Sequence, residues 1–409
     1  MPAQIQSVTA PAGAGATEAR SRLGMSGGAA FLFALAAGAA VGNLYWSQPI
    51  LGTIADGFGV TPSTAGLLIT LTQIGYAVGV FFLVPLGDLV NRKVMIPASM
   101  LLSAVMLGVS ALAPSFPVLL VTLALVGAST VSGQLLAPLA GDLATEEQRG
   151  RVLGVVASGV LLGIMVARAI SGVVTDLIGW RALYAAVAGV MLVLAVTMYR
   201  LLPRLAPRAR LGYGALLGSV LRTYARSSTA RWLGLVGAAA MATFTLYWTG
   251  LTLLLSGEPF GFSGTQIGLI NLVGILGALA AQQVGRLYDR GLAVPAIGAG
   301  LVVALVSFVV SGLAPGSIGA VVVSIALYSI GVQAVLVLVQ TRFMSIDPAS
   351  RSRLNTVYVV GNFVGGTIGS ALASTLWGLG GWPVVLTAAG VLLVLALLVW
   401  AVQRRRAFA

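Results

Sequence analysis

Apolar residues run along this chain in blocks of about twenty, divided by short stretches where glycine, proline and charge collect. A block of about 20 residues crosses the hydrocarbon of a bilayer as a helix. Twelve blocks are predicted as spans: 28–51, 64–86, 94–113, 116–139, 152–174 and 182–201, then 232–255, 265–284, 293–313, 317–340, 353–376 and 383–402. The alternation of barrel strands does not appear. Each span is predicted helical, because backbone in lipid must satisfy its own hydrogen bonds.

The polar punctuation repeats about 202 positions apart. Leu44-Tyr45-Trp46-Ser47 returns as Leu246-Tyr247-Trp248-Thr249, and Phe58-Gly59-Val60-Thr61 as Phe260-Gly261-Phe262-Ser263. Gly66-Leu67 matches Gly268-Leu269, Gly75 matches Gly277, Arg149-Gly150-Arg151 matches Arg351-Ser352-Arg353, and Gly179-Trp180 matches Gly381-Trp382. This order predicts two similar six-helix halves, an architecture that lets one half rock against the other about a site between them.

Composition agrees. Hydrophobic residues make up 58% and charged residues 8%, against about 45–50% and about 25% in soluble domains. The net charge of +13 is not spread over one soluble face, so nucleic acid is excluded as a partner. With twelve spans and both ends inside, 21 of the 23 Lys and Arg fall on the inner side. That asymmetry predicts cytoplasmic termini in a multi-pass inner-membrane protein. The predicted divisions are a disordered cytoplasmic tail (1–25), an N-terminal six-helix bundle (26–201), a cytoplasmic linker with an interfacial helix (202–231), a C-terminal bundle (232–402) and a basic tail (403–409). Cysteine and histidine are both absent. No catalytic residue, cofactor or metal site is therefore expected.

Short basic loops follow the second and eighth spans. Gly285-Arg286-Leu287-Tyr288-Asp289-Arg290-Gly291 and the shorter variant Gly87-Asp88-Leu89-Val90-Asn91-Arg92-Lys93 resemble the signature of the major facilitator superfamily. The resemblance covers about residues 28–402 and implies an all-α membrane protein of twelve helices in two pseudo-symmetric halves. It also implies that these loops hold helix ends together in one conformation. The expected latch residues are Gly87, Asp88, Arg92, Asp142, Arg149, Arg151, Gly285, Asp289, Arg290, Asp347 and Arg351; the alternative is a set of solvated surface charges. Ala167-Arg168-Ala169-Ile170-Ser171-Gly172 resembles the antiporter motif of the family's drug exporters, but has Ala167-Arg168 where they carry Gly-Pro. Position 123, where antiporters often hold a buried Arg, is Leu123.

Arg168 is the ionisable residue inside a span, and such a residue is a functional candidate. Val155, Leu162, Val166, Ile170 and Val173 form one stripe predicted to meet lipid, and Arg168 points away from it. Two placements stay open for it: facing an internal cavity, or snorkelling to the outer surface. The acidic residues all fall near span ends, so a mid-depth proton relay is missing. Neutral polar residues sketch a substrate pathway: Asn43, Trp46, Gln73, Tyr76, Gln134, Thr245, Trp248, Asn271, Gln333, Tyr358 and Asn362, together with Arg168. Tyr45, Trp46, Tyr247 and Trp248 fit equally well as interface anchors. The expected function is secondary transport of a small-molecule substrate by alternating access, as efflux of amphipathic compounds or metabolites, with protons as a candidate coupling ion. An importer or facilitator for an organic anion using Arg168 is the alternative, and a non-transport membrane sensor a remoter one. The expected surroundings are the lipid bilayer, and a monomer suffices.

Overall fold

The computed structural model describes residues 24–87, 89–203, 212–347 and 351–405. Most of the expected N-terminal tail, Asp88 and much of the basic linker lie outside them. The first half comprises α1 (Gly27–Gly42), a 3-10 turn at Gln48–Ile50, α2 (Leu51–Phe58), α3 (Pro62–Ala65), α4 (Leu67–Leu86), α5 (Arg92–Ala111), α6 (Phe116–Ser129), α7 (Ser132–Leu143), α8 (Glu146–Ile178) and α9 (Trp180–Leu201). The linker carries α10 (Tyr213–Arg226). The second half comprises α11 (Ser228–Ser256), α12 (Gly264–Asn271), α13 (Ile275–Asp289), α14 (Ala293–Leu313), α15 (Ile318–Ser345) and α16 (Arg351–Gln403).

Among the described residues ten helices are long and apolar enough to cross a membrane, and α1 is a shorter apolar helix. Within α16 the backbone leaves helical geometry at Gly380 and Gly381, which divides it into two rods. This is consistent with the twelve predicted spans. An even number of crossings puts Gly27 and Gln403 on one face, called here the terminal face.

The sequence repeat is a repeat of backbone geometry. Gly59 and Gly261 both adopt left-handed φ, of 65° and 60°. Each is followed by a hydroxyl N-cap: Thr61 accepts from the Thr64 N–H at 3.1 Å, and Ser263 from Gln266 at 3.4 Å. Gly179 and Gly381 repeat the pattern with φ of 88° and 63°. A residue with a Cβ is strained in this region, so glycine holds all four places.

Small residues set the helix spacing. A side chain on Gly38 would meet the Gly159 carbonyl, and one on Gly365 the Ala238 carbonyl. The two Gly-x-x-x-Gly pairs, Gly159 with Gly163 and Gly365 with Gly369, thus draw α8 against α1 and α16 against α11. Leu162, Val166 and Ile170 are exposed on the outer surface, as the stripe predicted.

Between the halves, α4 packs on α16 and α8 on α12, both toward the face opposite the termini. Ser370 donates to Thr70 at 3.0 Å across the first contact, and Ser63 donates to the Ser374 carbonyl. At the second, the Asp176 carboxylate accepts the Thr265 N–H at 2.7 Å, and Gly172 lies directly against the Gly264 carbonyl. Toward the terminal face the halves part: α13 buries only Gly277 and Val284. The linker helix bridges there, with the Tyr213 hydroxyl donating to the Phe82 carbonyl at 2.7 Å.

Candidate functional site

A cavity of about 250 Å³ lies between the halves beneath this seal. Its wall takes residues from α1, α4, α7 and α8 of the first half and from α11, α13, α15 and α16 of the second. Seven of the expected pathway residues reach it: Tyr76, Gln134, Arg168, Trp248, Gln333, Tyr358 and Asn362. Gln134 donates to the Tyr76 hydroxyl at 2.9 Å, and the Tyr76 ring lies 4.2 Å from Phe363 of the other half. The Tyr358 hydroxyl donates to the Leu336 carbonyl at 2.7 Å, which fixes its ring on the wall.

The other five expected pathway residues stand elsewhere. Thr245 donates to the Gly366 carbonyl at 2.7 Å and so joins α11 to α16. Gln73 is buried against Gly366 at the seal, and Asn271 is buried at the end of α12. Asn43 accepts the Trp46 indole N–H at 3.1 Å, and Trp46 lines an apolar groove on the outer surface with Phe31, Val166 and Val190. The reason is local. The chain leaves α-helical winding after Gly42, and Leu44 and Tyr45 bond back three residues, to Val41 and Gly42. That tighter turn rotates the following side chains, so Tyr45 faces the cavity and Trp46 does not. Tyr45, which the sequence suggests only as a membrane-interface anchor, lines the cavity, as does Phe244, which no polar pattern marks.

Arg168 sits at the top of the cavity, 1% exposed. It does not snorkel. The guanidinium carbon lies 4.3 Å from the Trp248 ring, 4.9 Å from Tyr45 and 5.4 Å from Phe244. Two of these rings belong to the second half. All three guanidinium nitrogens are buried without a hydrogen-bond acceptor, and the Trp248 indole N–H is likewise unpaired.

The latch residues are unequally placed. Arg92 is buried, donating to the Gly87 carbonyl at 3.0 Å and to Asp142 at 3.2 Å. A side chain on Gly87 would press on Leu135, so this loop sits tightly on α7. Arg149, Arg151, Gly285, Asp289 and Arg290 are exposed, and Asp347 is half-buried. The Arg351 side chain lies outside the described residues, as does Asp88. Among the described residues no His, Cys, Asp and Glu cluster could hold a metal ion.

The family model for the Major Facilitator Superfamily matches residues 27–351. An uncharacterized transporter of Escherichia coli O157:H7, YgaY, is 36% identical, covering 90% of this chain and 94% of that one. A probable transporter of Streptomyces coelicolor, SCO4007, is 33% identical over 99% of this chain and 96% of its own. Among solved structures, a bacterial homolog of the human lysosomal transporter Spinster, inward-facing and unoccupied, superposes with a TM-score of 0.73 at 16% identity, covering 94% of this chain and 97% of that one.

Proposed function

The chain belongs to the Major Facilitator Superfamily, and from that premise we propose that it exports small amphipathic compounds or metabolites by alternating access across the inner membrane. The observation that carries this is the central cavity, walled by both halves, with α4 packed on α16 and α8 on α12 toward the face opposite the termini. A site shared by two rigid halves changes its exposure when they rock. The hydroxyl and backbone contacts at Ser63, Thr70 and Asp176 are small polar bonds that such rocking can break and remake.

The terminal face is assigned to the cytoplasm. The basic residues predicted on it support this orientation. The cavity is then inward-open in the state described. Outward direction rests on resemblance alone: the run from Ala167 to Gly172 is similar to the motif of the family's exporters and departs from it at Ala167-Arg168. Among the described residues the cavity wall presents no nucleophile–base pair, and the groups it does present suit binding and release, the work of a carrier.

The chain has no cysteine, so a single Ala278→Cys reporter in the cavity wall is unambiguous. In oriented membrane vesicles, impermeant thiol reagents applied to either face should both label it, each in a different conformation. Labelling from the terminal face alone, under every condition and in a seal-weakened variant, would defeat the reading.

A further inference from the structure

We infer that the transported molecule is a small organic anion whose charged group binds Arg168. The inference rests on the transport reading above and names its substrate class. Three facts converge. Arg168 is buried at 1% exposure, and each of its nitrogens lacks an acceptor. The rings of Tyr45, Phe244 and Trp248 surround its carbon at 4.3–5.4 Å. And no acidic residue lines the cavity among the described residues.

Aromatic faces attract a cation, but they do not complete its hydrogen bonding. The five guanidinium N–H groups lie in its own plane and require oxygen acceptors. Burying them unpaired is costly, and the cost persists only where a ligand or a function offsets it. The unpaired Trp248 indole N–H adds another donor beside them. The unpaired Arg168 and Trp248 nitrogens are all donors, which selects a carboxylate, sulfonate or phosphate group over an ammonium.

The rest of the wall describes the remainder of the ligand. Ile164, Met165, Val332 and Phe363 give it an apolar body, and the amides of Gln134 and Gln333 stand further along the wall. The volume of about 250 Å³ falls just below the range of drug-sized sites. An anion can reach the N–H edges only if a caging ring swings aside. Phe244 and Trp248 belong to the half opposite Arg168, so displacing either of them also loosens one contact between the halves.

The test is thermal unfolding of the full-length protein in detergent, at fixed ionic strength, with benzoate or its uncharged isostere benzamide at tens of millimolar. Benzoate should raise the wild-type Tm by about 2 °C and benzamide should not. Arg168→Gln should lose the shift, and Arg168→Lys, which keeps the charge, should retain part of it. The benzoate–benzamide comparison needs only the wild type, so a misfolded variant does not blunt it. No benzoate shift, equal shifts with both compounds, or a full shift in Arg168→Gln overturns the assignment. Labelling of Ala278→Cys from both faces is read without ligand. If it persists where benzoate fails, the substrate class falls and the transport reading stands.

Discussion

The Asp176 carboxylate of the first half accepts the Thr265 backbone N–H of the second at 2.7 Å. Thr265 lies in the first turn of α12, so the carboxylate also faces the positive end of that helix dipole. The contact belongs to the closed face and breaks when the halves part there. Asp176→Ala should remove about 1 kcal/mol from the sealed state, raising the population open to that face about fivefold. The readout is labelling of Ala278→Cys by an impermeant reagent applied from that face. An unchanged rate would mean that the contact follows closure without helping to hold it.

The glycines of α16 are predicted to be unequal. A Cβ at Gly369 would meet the Ala242 carbonyl, whereas one at Gly361 meets nothing within 4 Å. Gly369→Val should cost about 1–3 kcal/mol by forcing α11 and α16 apart, while Gly361→Ala should be nearly neutral. Thermal unfolding of the two purified variants makes the comparison. Equal effects would show that α16 repacks around the added volume.

Arg92 ties the loop after α4 to α7 through the Gly87 carbonyl and Asp142. A double-mutant cycle with Arg92→Gln and Asp142→Asn should show coupling of about 1 kcal/mol. Arg92→Gln should be the more harmful single change, because it also removes the donor to Gly87. Additive single effects would reduce the pair to a chance proximity of charges.

An anionic substrate carries charge through the membrane. With no acidic group in the cavity wall among the described residues, its export draws on the inside-negative potential directly. The work is about 2.3 kcal/mol per charge at 100 mV, or about a fiftyfold gradient. In proteoliposomes with a potassium–valinomycin potential, efflux of benzenesulfonate, which stays ionised, should accelerate as the interior becomes negative and should not change with an imposed pH gradient. Efflux that follows the pH gradient would instead place a proton in the cycle.

The fold was legible in the sequence because its signals are repetitive. Span-length apolar blocks, polar punctuation and the paired words around Gly59 and Gly261 each report on backbone that must be helical or must turn. Arg168 was equally visible, since a charge in an apolar run has few places to go. The site was less so. Placing Asn43 and Trp46 on the pathway assumes unbroken helical winding, and the turns after Gly42 rotate Tyr45 into the cavity instead. Thr245 and Gln73 stand out in the sequence because polar groups avoid lipid, but helix–helix contacts satisfy that need as well as a cavity does. Phe244 carries no polar mark, so nothing in its one-dimensional context separates it from a core residue. The Arg92–Asp142 bridge joins the first turn of α5 to the last turn of α7, a pairing that spacing alone does not reveal.

Trp46 and Trp248 descend from the same place in the repeat, yet one lies on the outer surface and the other against Arg168. Two identical copies would have built a chamber with its own twofold axis, best matched to a molecule that looks the same from either end. Divergence at Arg168, whose counterpart at the repeat offset is Ser370, leaves charge on one wall, with the Trp248 indole of the other half against it. The chamber acquires a polarity, and can tell the head of its cargo from the tail.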